Sequence, residues 1–310
     1  MTVSMNATPQ AMRPNKIRLD TSGKVIRSVS VICITFFTLI CLIPFVIMLS
    51  ASFTNQTYIY QYGFSLLPRD FTLYAYQFAF IMPKVILGDY GLTIILTVVG
   101  TSVGLFLISM TGYALQRPDF SYRNGLSFFV YFTTLFQGGL IPYFIMMVNW
   151  FHLKNNYMAV LLPSIMSPWL LIMMKSFLRT IPHEMTEAAK IDGAGDFTVY
   201  WRVILPVAKP ALATIGLFLA LNYWNEWYNA MLFLDPNRQA VPLQYFLYKV
   251  VNAANFLNQS AAAANVPRQN LPSQTLQMAV AIIATGPIIF VYPFVQKYFI
   301  SGLTVGSVKG

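Results

Sequence analysis

The sequence predicts an all-α membrane protein with six transmembrane helices, and three observations support this. Hydrophobic residues make up 56% of the 310 positions and charged residues only 10%, whereas soluble domains carry about 25% charged residues. The apolar residues fall in six runs, each long enough to cross a hydrocarbon core of about 30 Å as a helix. Lipid offers no partners to open backbone groups, so each run must be helical.

The chain divides into a polar N-terminal segment, a membrane domain and a short tail. Residues 1–28 are polar and basic, residues 29–300 form the predicted membrane domain, and residues 301–310 form the tail. The first apolar run, at about 22 residues, is too long for a signal-peptide core, so we predict a retained helix. The six predicted spans are 29–50, 91–115, 127–148, 157–178, 210–234 and 275–299.

Prolines and cysteines in these runs have structural interpretations. Prolines interrupt several runs, and the pair Gly286–Pro287 is the predicted site of the sharpest bend. Cys33 and Cys41 both lie in the first run. They are predicted to be small apolar residues within the membrane, because their spacing fits neither a disulfide framework nor a metal site.

The basic residues predict the orientation of the chain. The net charge is +10, and the positive residues lie mostly between apolar runs, which favours anionic lipid headgroups over nucleic acid as their partner. With six spans, fourteen basic residues fall on the side of the termini and six on the other. The excess places both termini in the cytoplasm, together with the loop 180–209.

The loop 180–209 is the densest cluster of charge in the chain, and it predicts two short helices on the membrane surface. Gly193 and Gly195 are predicted to stop the first helix and turn the chain. Asp196 is predicted to cap the second helix, and Pro206 and Pro210 to end it.

The first of these helices is predicted to be amphipathic. Residues three and four positions apart share a helix face. One face is therefore predicted to be polar and the opposite face apolar. The polar face holds His183, Glu187 and Lys190, and the apolar face holds Met185, Ala188 and Ala189.

A spaced motif lies in the same loop. Glu187, Ala188 and Ala189 are followed after three residues by Gly193, and after nine more by the sequence VILP from Val203. This order resembles the EAA loop of bacterial ABC importer permeases, with Val203 where the pattern usually has Ile. The resemblance implies that the loop docks on the ATPase subunit as a coupling helix. It assigns the docking contacts to Glu187, Ala188, Ala189, Asp192, Gly193, Leu205 and Pro206.

Other segments resemble the carbohydrate-uptake permeases of the maltose-transporter type. They are RDFTLYAYQ, YWNEWYNAMLF, VPLQ and the ending FVQKYFISGLTVGSVKG. The resemblance implies a six-helix subunit of the bacterial plasma membrane, a homologous second permease, two ATPase subunits and an external sugar-binding protein. ATP and Mg²⁺ would bind the ATPase, and this chain would bind no cofactor. Within the family, the sequence looks closest to permeases for oligosaccharides from plant or algal polysaccharides, including aldouronates.

The fifth run contains an unusual group of polar residues. Glu226 is the only acidic residue inside any predicted run, and an intramembrane charge normally faces the bundle interior or a watery cavity. Aromatic rings and amides are the groups that hold sugars, which makes this cluster a candidate substrate path. The alternative is an aromatic belt at the outer interface. The candidate residues are Asn222, Tyr223, Asn225, Glu226 and Asn229.

Two long outer segments, about 51–90 and 235–274, have two open interpretations. They are either simple connections or a docking surface for an external partner. Residues 66–82 contain a possible interfacial helix with aromatic anchors. Residues 259–274 are predicted to be flexible and exposed to solvent.

Missing motifs separate the function classes. The sequence has no G-x₄-G-K-[ST] phosphate loop, no catalytic constellation and no set of metal ligands, which favours a transporter subunit over an enzyme. Two alternatives stay open: an ABC importer permease for a non-sugar solute, and an ion-driven secondary transporter. The second would need titratable groups near the midplane of the membrane, where Glu226 does not lie.

Overall fold

The computed structural model describes residues 21–80, 83–237, 239–263, 274–289 and 293. Within these ranges the chain is mostly helical, and a single antiparallel bridge joins Thr54 to Phe71. The helices are α1 Thr21–Ser52, α2 Gln56–Tyr62, α3 Tyr74–Ala79, α4 Pro83–Gln116, α5 Arg123–Leu135, α6 Leu140–Ile145, α7 Met158–Ile165, α8 Pro168–Leu178, α9 Glu184–Ile191, α10 Asp196–Val199, α11 Leu205–Val207, α12 Lys209–Trp224, α13 Tyr228–Phe233, α14 Leu243–Ala263 and α15 Gln274–Ile289. Single π turns follow α6 and α10, at Met146–Trp150 and Tyr200–Ile204.

The described residues contain three to five candidate membrane helices. Three are long and apolar enough to cross a membrane on their own: Ser22–Ser52, Pro83–Gln116 and Met158–Leu178. Two more candidates are bent pairs: Arg123–Leu135 with Leu140–Trp150, and Asp196–Val207 with Lys209–Phe233. Of the predicted sixth span, only 275–289 and 293 are described, so the six-span count stays a prediction.

The first helix begins earlier than predicted and is exposed along its length. α1 starts at Thr21, inside the N-terminal segment 1–28 that was predicted to be polar. No residue in its most apolar stretch is buried by the rest of the chain. Cys33 and Cys41 are free and exposed on this helix. An apolar helix with so little contact needs lipid or a partner subunit around it.

The second long helix also begins earlier than predicted, at Pro83 instead of residue 91. Asp89 therefore lies within its first two turns and is only 1% exposed. The prediction that Glu226 is the only acidic residue in an apolar helix is wrong. The polar residues of the segment LGDYG concealed the start of the helix, because its hydropathy rises only after them.

The outer segments are more structured than predicted. The segment 235–274 contains the 21-residue helix α14, which continues to Ala263. The residues from 259 to 263, predicted to be flexible, belong to that helix, and residues 264–273 lie outside the described residues. The segment 51–90 differs in the other direction. Of the interfacial helix predicted within residues 66–82, only the six residues of α3 are helical.

The helix that contains the predicted bend has no break at Gly286 or Pro287. α15 continues through Gly286 and Pro287 to Ile289. A proline at 287 frees the carbonyl of Ile283, four residues earlier, and the hydroxyl of Tyr90 donates to that carbonyl. Sharp bends lie at two breaks between helices. Arg123–Leu135 and Leu140–Trp150 meet at 114° beside Gly139, and Asp196–Val207 and Lys209–Phe233 meet at 84°. Gly139 adopts φ +88, which a helix cannot continue through.

α4 is the central helix of the bundle and packs against α7, α8 and α12. The core between these helices contains Leu170 and Leu219, which are 1% and 0% exposed. The approach of α12 depends on Gly100, where an added Cβ would lie 2.3 Å from the ring of Tyr223. The absence of a side chain there lets the two helices pack closely.

We expect Gly104→Ala to destabilise this bundle. An added Cβ at Gly104 would lie 2.7 Å from the backbone carbonyl oxygen of Ile165, which cannot move without shifting α7. Overpacking of this kind costs about 1–3 kcal/mol. The measurement is the thermal unfolding of the detergent-purified protein. Gly91→Ala on the same helix is the control, because its Cβ would meet nothing within 4 Å. Equal midpoints for the two variants would contradict the prediction.

Candidate functional site

The charge-dense loop folds into helices joined at a glycine. α9 ends at Ile191, and Gly193 adopts φ +82. The N–H of Gly193 donates to the carbonyl of Lys190 at 3.0 Å, and the N–H of Ala194 donates to the carbonyl of Ala189 at 2.9 Å. Together these bonds form a Schellman cap, in which the residue after the C-cap must be left-handed. Gly193 therefore directs the chain from α9 towards α10.

The two faces of α9 differ from the prediction. Thr186 is buried, and Ala189 packs against the main core. Met185, Ala188 and Ile191 face outwards, and Ile191 is 86% exposed. The helix therefore rests on the bundle through one polar and one small residue, while Ile191 is largely exposed and Met185 is 36% exposed.

Lys190 explains why α9 is rotated in this way. It was predicted to share one polar face with His183 and Glu187, but its Nζ reaches Asp119 and Asp196, each at 3.4 Å. Asp119 lies in the loop after α4, and Asp196 is the first residue of α10. Because Lys190 turns towards these carboxylates, the opposite side of α9 is presented to the outside.

Arg117 lies at the centre of the same network, which we call the four-charge cluster: Arg117, Asp119, Lys190 and Asp196. Arg117 is 15% exposed and contacts both carboxylates, with 2.8 Å from its Nη1 to Asp196 Oδ1. Hydrogen bonds from Arg117 are the main cause that lowers the pKa of Asp119 and of Asp196 below the usual carboxyl range. The cluster joins the α4–α5 loop to both helices of the charge-dense loop.

Asp196 is therefore an ion-pair residue and not the helix cap that the sequence predicted. The N-cap of α10 is Gly195, and Asp196 occupies the first helical position. A carboxylate at the first helical position still stabilises the helix, because it lies near the positive N-terminal end of the helix dipole. Its side chain is unavailable for capping because Arg117 and Lys190 hold it.

The second helix is anchored in the core by its buried side. Tyr200 is 2% exposed, and its hydroxyl lies 2.8 Å from the Oγ of Ser109 on α4. Leu205 packs against the same core. The helix ends at Val207, one residue after Pro206, close to the predicted end. Pro210 does not belong to this end, because it lies in the first turn of α12, where no backbone donor is required. The chain turns afterwards, at Ala208.

The structure thus brings the predicted coupling residues into one region. Glu187, Ala188 and Ala189 lie on α9, while Asp192 and Gly193 form its C-terminal cap. Leu205 and Pro206 lie at the end of the second helix, and α9 packs against α10 and the π turn that leads into α11. Glu187 is exposed and lies 3.7 Å from the imidazole of His183.

The five residues of the candidate substrate path do not form one cluster. Tyr223 is 1% exposed, and its hydroxyl donates to the carbonyl of Leu161 at 2.8 Å, within the helix packing. Asn222 and Asn225 are exposed, and Asn225 accepts a 3.2 Å hydrogen bond from Gln244. In this conformation only these two amides lie at the surface of the chain.

Glu226 and Asn229 pair with each other at a break between α12 and α13. The backbone N–H of Asn229 donates to Glu226 Oε1 at 2.8 Å, and the side-chain amide donates to Oε2 at 3.1 Å. The side-chain amide oxygen of Asn229, Oδ1, accepts from the hydroxyl of Tyr143. Glu226 therefore caps α13 and ties it to α6 through Asn229, which explains a carboxylate in this run without a ligand.

A polar pair that sequence reasoning missed holds the VPLQ segment against α4. Asp89 Oδ1 accepts from the N–H of Val241 at 2.8 Å, and Thr93 Oγ1 accepts from the N–H of Leu243 at 2.9 Å. These side chains lie one turn apart on α4, so together they accept the N–H groups of Val241 and of Leu243, the first residue of α14. The i, i+4 spacing of Asp89 and Thr93 was the only available signal.

We expect Thr93→Val to loosen this clamp. The change keeps the shape but removes the acceptor, which leaves the buried N–H of Leu243 unpaired at a cost of about 1–3 kcal/mol. Hydrogen exchange of the peptide that contains Leu243 should become faster. Thr97→Val, one turn along α4, is the control, because Thr97 Oγ1 has no hydrogen-bond partner among the described residues. Equal exchange in both variants would rule out the clamp.

Comparisons with known proteins agree with one another. Residues 104–305 match the family described as "Binding-protein-dependent transport system inner membrane component". The chain is 38% identical over 276 residues to the polygalacturonan/rhamnogalacturonan transport system permease protein YtcP of Bacillus subtilis, covering 88% of this chain and 94% of the relative. It is 28% identical over 280 residues to the arabinooligosaccharides transport system permease protein AraQ of Halalkalibacterium halodurans, covering 89% and 94%.

A solved structure shares the fold. It is described as a bacterial ABC transporter involved in the import of the acidic polysaccharide alginate. The TM-score is 0.75 at 30% sequence identity, and the match covers 91% of this chain and 99% of the other. The likeness thus extends over almost the whole of both chains.

Proposed function

The chain belongs to the family of binding-protein-dependent transport system inner membrane components, and from this premise we propose that it forms, with a second permease, the membrane path of an ABC importer for oligosaccharides. Support for the substrate class comes from the relatives, which are named for polygalacturonan and rhamnogalacturonan, for arabinooligosaccharides and for alginate. Each of these names denotes a carbohydrate.

The observation that carries the proposal is the outward face of α9. Met185, Ala188 and Ile191 form an apolar surface on a short helix whose other side is fixed by the four-charge cluster. We take this exposed apolar face as the docking surface, since apolar patches of this kind mark interaction sites. Its proposed occupant is a groove of the ATPase, which would bind ATP and Mg²⁺ and carry out hydrolysis in place of this chain.

Several contacts connect this surface to the membrane helices. The Schellman cap at Gly193, the ion pairs of Asp196 and the buried Tyr200 connect α9 to the helices that lead into α12. Closure of the ATPase dimer on ATP would therefore move α12 together with α9. ATP drives alternating access in this scheme because the ATPase binds α9 differently in the two states.

The remaining topology is part of the same proposal. Six spans place both termini and the loop 180–209 in the cytoplasm of a bacterium, with α14 and the VPLQ segment on the outer side. An external solute-binding protein would deliver the sugar on that side. Asn222 and Asn225, whose amides are exposed, are the candidates for contact with substrate in this conformation.

Purification of the importer in mild detergent tests the proposal. A second permease, an ATPase with a phosphate loop and a solute-binding protein should co-purify with this chain. Oligosaccharide uptake by cells or proteoliposomes should stop when ATP is depleted. If the chain purifies alone and uptake persists without ATP, the ABC assignment fails and an ion-driven mechanism takes its place. If the binding protein captures only peptides or amino acids, the carbohydrate assignment alone fails.

Ile191→Lys is expected to weaken the ATPase interface directly. Burial of an isoleucine side chain contributes about 1.5–3 kcal/mol, so the ATPase retained on the purified permease should fall at least about tenfold. Leu67→Lys is the matched control, because Leu67 is also highly exposed, at 74%, but lies in the outer segment. Full ATPase retention by the Ile191 variant would place the docking surface elsewhere.

A further inference from the structure

A basic cavity lies beside the first turn of α9 and is not used by the docking surface. It has a volume of about 540 Å³ and opens between the ends of α4, α5, α8 and α9. Its cationic lining consists of Arg123, Lys175 and Arg179, together with His183, and its only acidic side chain is Glu184. The cavity therefore has an excess of positive charge even when His183 is neutral.

Neutral groups of the protein hold two of these cations in place. Lys175 Nζ donates to Ser127 Oγ at 2.5 Å, and Arg123 Nη1 donates to the carbonyl of Arg117 at 3.1 Å. Within the described ranges, neither they nor Arg179 forms an ion pair. The positive charges of Arg179 and Arg123 repel that of Lys175. Three like charges held together without counter-ions favour an anionic ligand.

An apolar groove continues from the basic cavity. It has a volume of about 160 Å³, lies between α5 and α8, and is lined mainly by Val130, Tyr131, Leu171 and Ile172. Lys175 lines both spaces. One ligand that occupies both must carry a negative group next to a hydrocarbon chain.

We propose that these two spaces bind one acidic phospholipid, with its phosphate among Arg123, Lys175 and Arg179 and an acyl chain in the groove between α5 and α8. A soluble anion would leave the groove empty. The lipid reaches the site from the bilayer, because Phe128 and Phe129 on α5 are 67% and 63% exposed and belong to the apolar surface of a candidate span. Basic pockets between membrane helices bind anionic headgroups in this way.

The site has a structural consequence for α9. Pro182, His183 and Glu184 at the start of this helix line the same cavity as Arg179. A bound headgroup would neutralise the cations behind the helix and fix the chain between α8 and α9. Lipid occupancy is therefore expected to fix the N-terminal end of α9, whereas the turn at Gly193 fixes its C-terminal end.

Native mass spectrometry of the complete detergent-purified importer tests this proposal. The probes are dioleoyl phosphatidylglycerol and dioleoyl phosphatidylcholine, which differ in headgroup charge but share their acyl chains. One phosphatidylglycerol should be retained per copy of this chain. Arg179→Gln should weaken its binding about fivefold, the typical contribution of one basic residue. Lys175→Gln should weaken binding to a similar extent. If the Lys175 variant does not fold, the Arg179 variant still tests the site, because Arg179 is exposed and its substitution leaves the packing unchanged.

Controls separate this site from general attraction to lipid. Arg27→Gln removes a basic residue that is exposed on α1 and outside the cavity, and it should leave binding unchanged. Ile172→Trp fills the groove and should weaken phosphatidylglycerol binding without any change in charge. The proposal is overturned if phosphatidylcholine binds equally well, if Arg179→Gln and Arg27→Gln behave alike, or if inorganic phosphate displaces the lipid and Ile172→Trp has no effect.

Discussion

Gly193→Thr is expected to reduce ATP-driven uptake at least about tenfold, with the chain still inserted in the membrane. Gly193 has φ +82, and an added Cβ there would meet nothing within 4 Å, so the penalty comes from the backbone alone. A left-handed conformation costs an ordinary residue about 1–2 kcal/mol, and a β-branched residue is a genuine outlier there. To escape it, the chain must open the Schellman cap and turn α9 away from the ATPase. Uptake and substrate-stimulated ATP hydrolysis are the measurements.

Gly195→Thr provides a matched control two residues further along. Gly195 has φ −69 and ψ 160, and its Cβ would also be free of contacts. Threonine is about as good as glycine at an N-cap, so this substitution should leave uptake near the wild-type level. If the two threonine variants transport equally well, the turn at Gly193 does not position the coupling helix.

Local features of this site were predictable from sequence. The turn at Gly193 depends on residues that follow one another in the chain, and a glycine after a helical pattern is a direct signal for a left-handed cap. The same holds for α4 and α12, whose long apolar runs are helical in any membrane protein. The boundaries of the helices were less predictable. The first turns of α4 contain Asp89 and have low hydropathy, so the apolar run does not mark where this helix begins.

Contacts between distant segments were not predictable. The sequence alone assigned Asp196 to capping and grouped Lys190 with His183 and Glu187 on one polar face, since both choices are reasonable for an isolated helix. Arg117 lies 79 positions before Asp196 in the sequence, and its position reverses both assignments. Glu226 shows the same limit, because its partner Asn229 acts only at a break in the helix that the apolar run concealed.

Arg117→Glu is the second substitution with a large expected effect. It would place three carboxylates around Lys190 and weaken the link between the α4–α5 loop and α10, because Arg117 makes the shorter contacts to both Asp119 and Asp196. We expect uptake to be lost and the ATPase to remain bound only weakly. The measurements are ATPase retention on the purified permease and ATP-driven uptake, with membrane insertion checked separately.

The double variant Arg117→Glu with Asp196→Arg tests whether charge pairing is the cause. It restores two cations and two carboxylates to the four-charge cluster, with the cation now on α10. Uptake should recover in part, whereas Asp196→Arg alone should be defective. If the double variant is no better than Arg117→Glu, the effect comes from the side-chain packing of Arg117 against Tyr113 and not from the ion pairs.

The pKa shifts in the cluster predict how its contribution depends on pH. The pKa values of Asp119 and Asp196 are lowered in the folded chain, mainly by hydrogen bonds from Arg117. Stabilisation by such groups is complete above the ordinary aspartate pKa of about 3.9 and is lost as the pH falls through the lowered values. ATPase retention should therefore be unchanged between about pH 6 and 8. A loss of retention within that range, abolished by Asp119→Asn, would show that these carboxylates titrate near neutrality and that Arg117 does not hold them as the structure indicates.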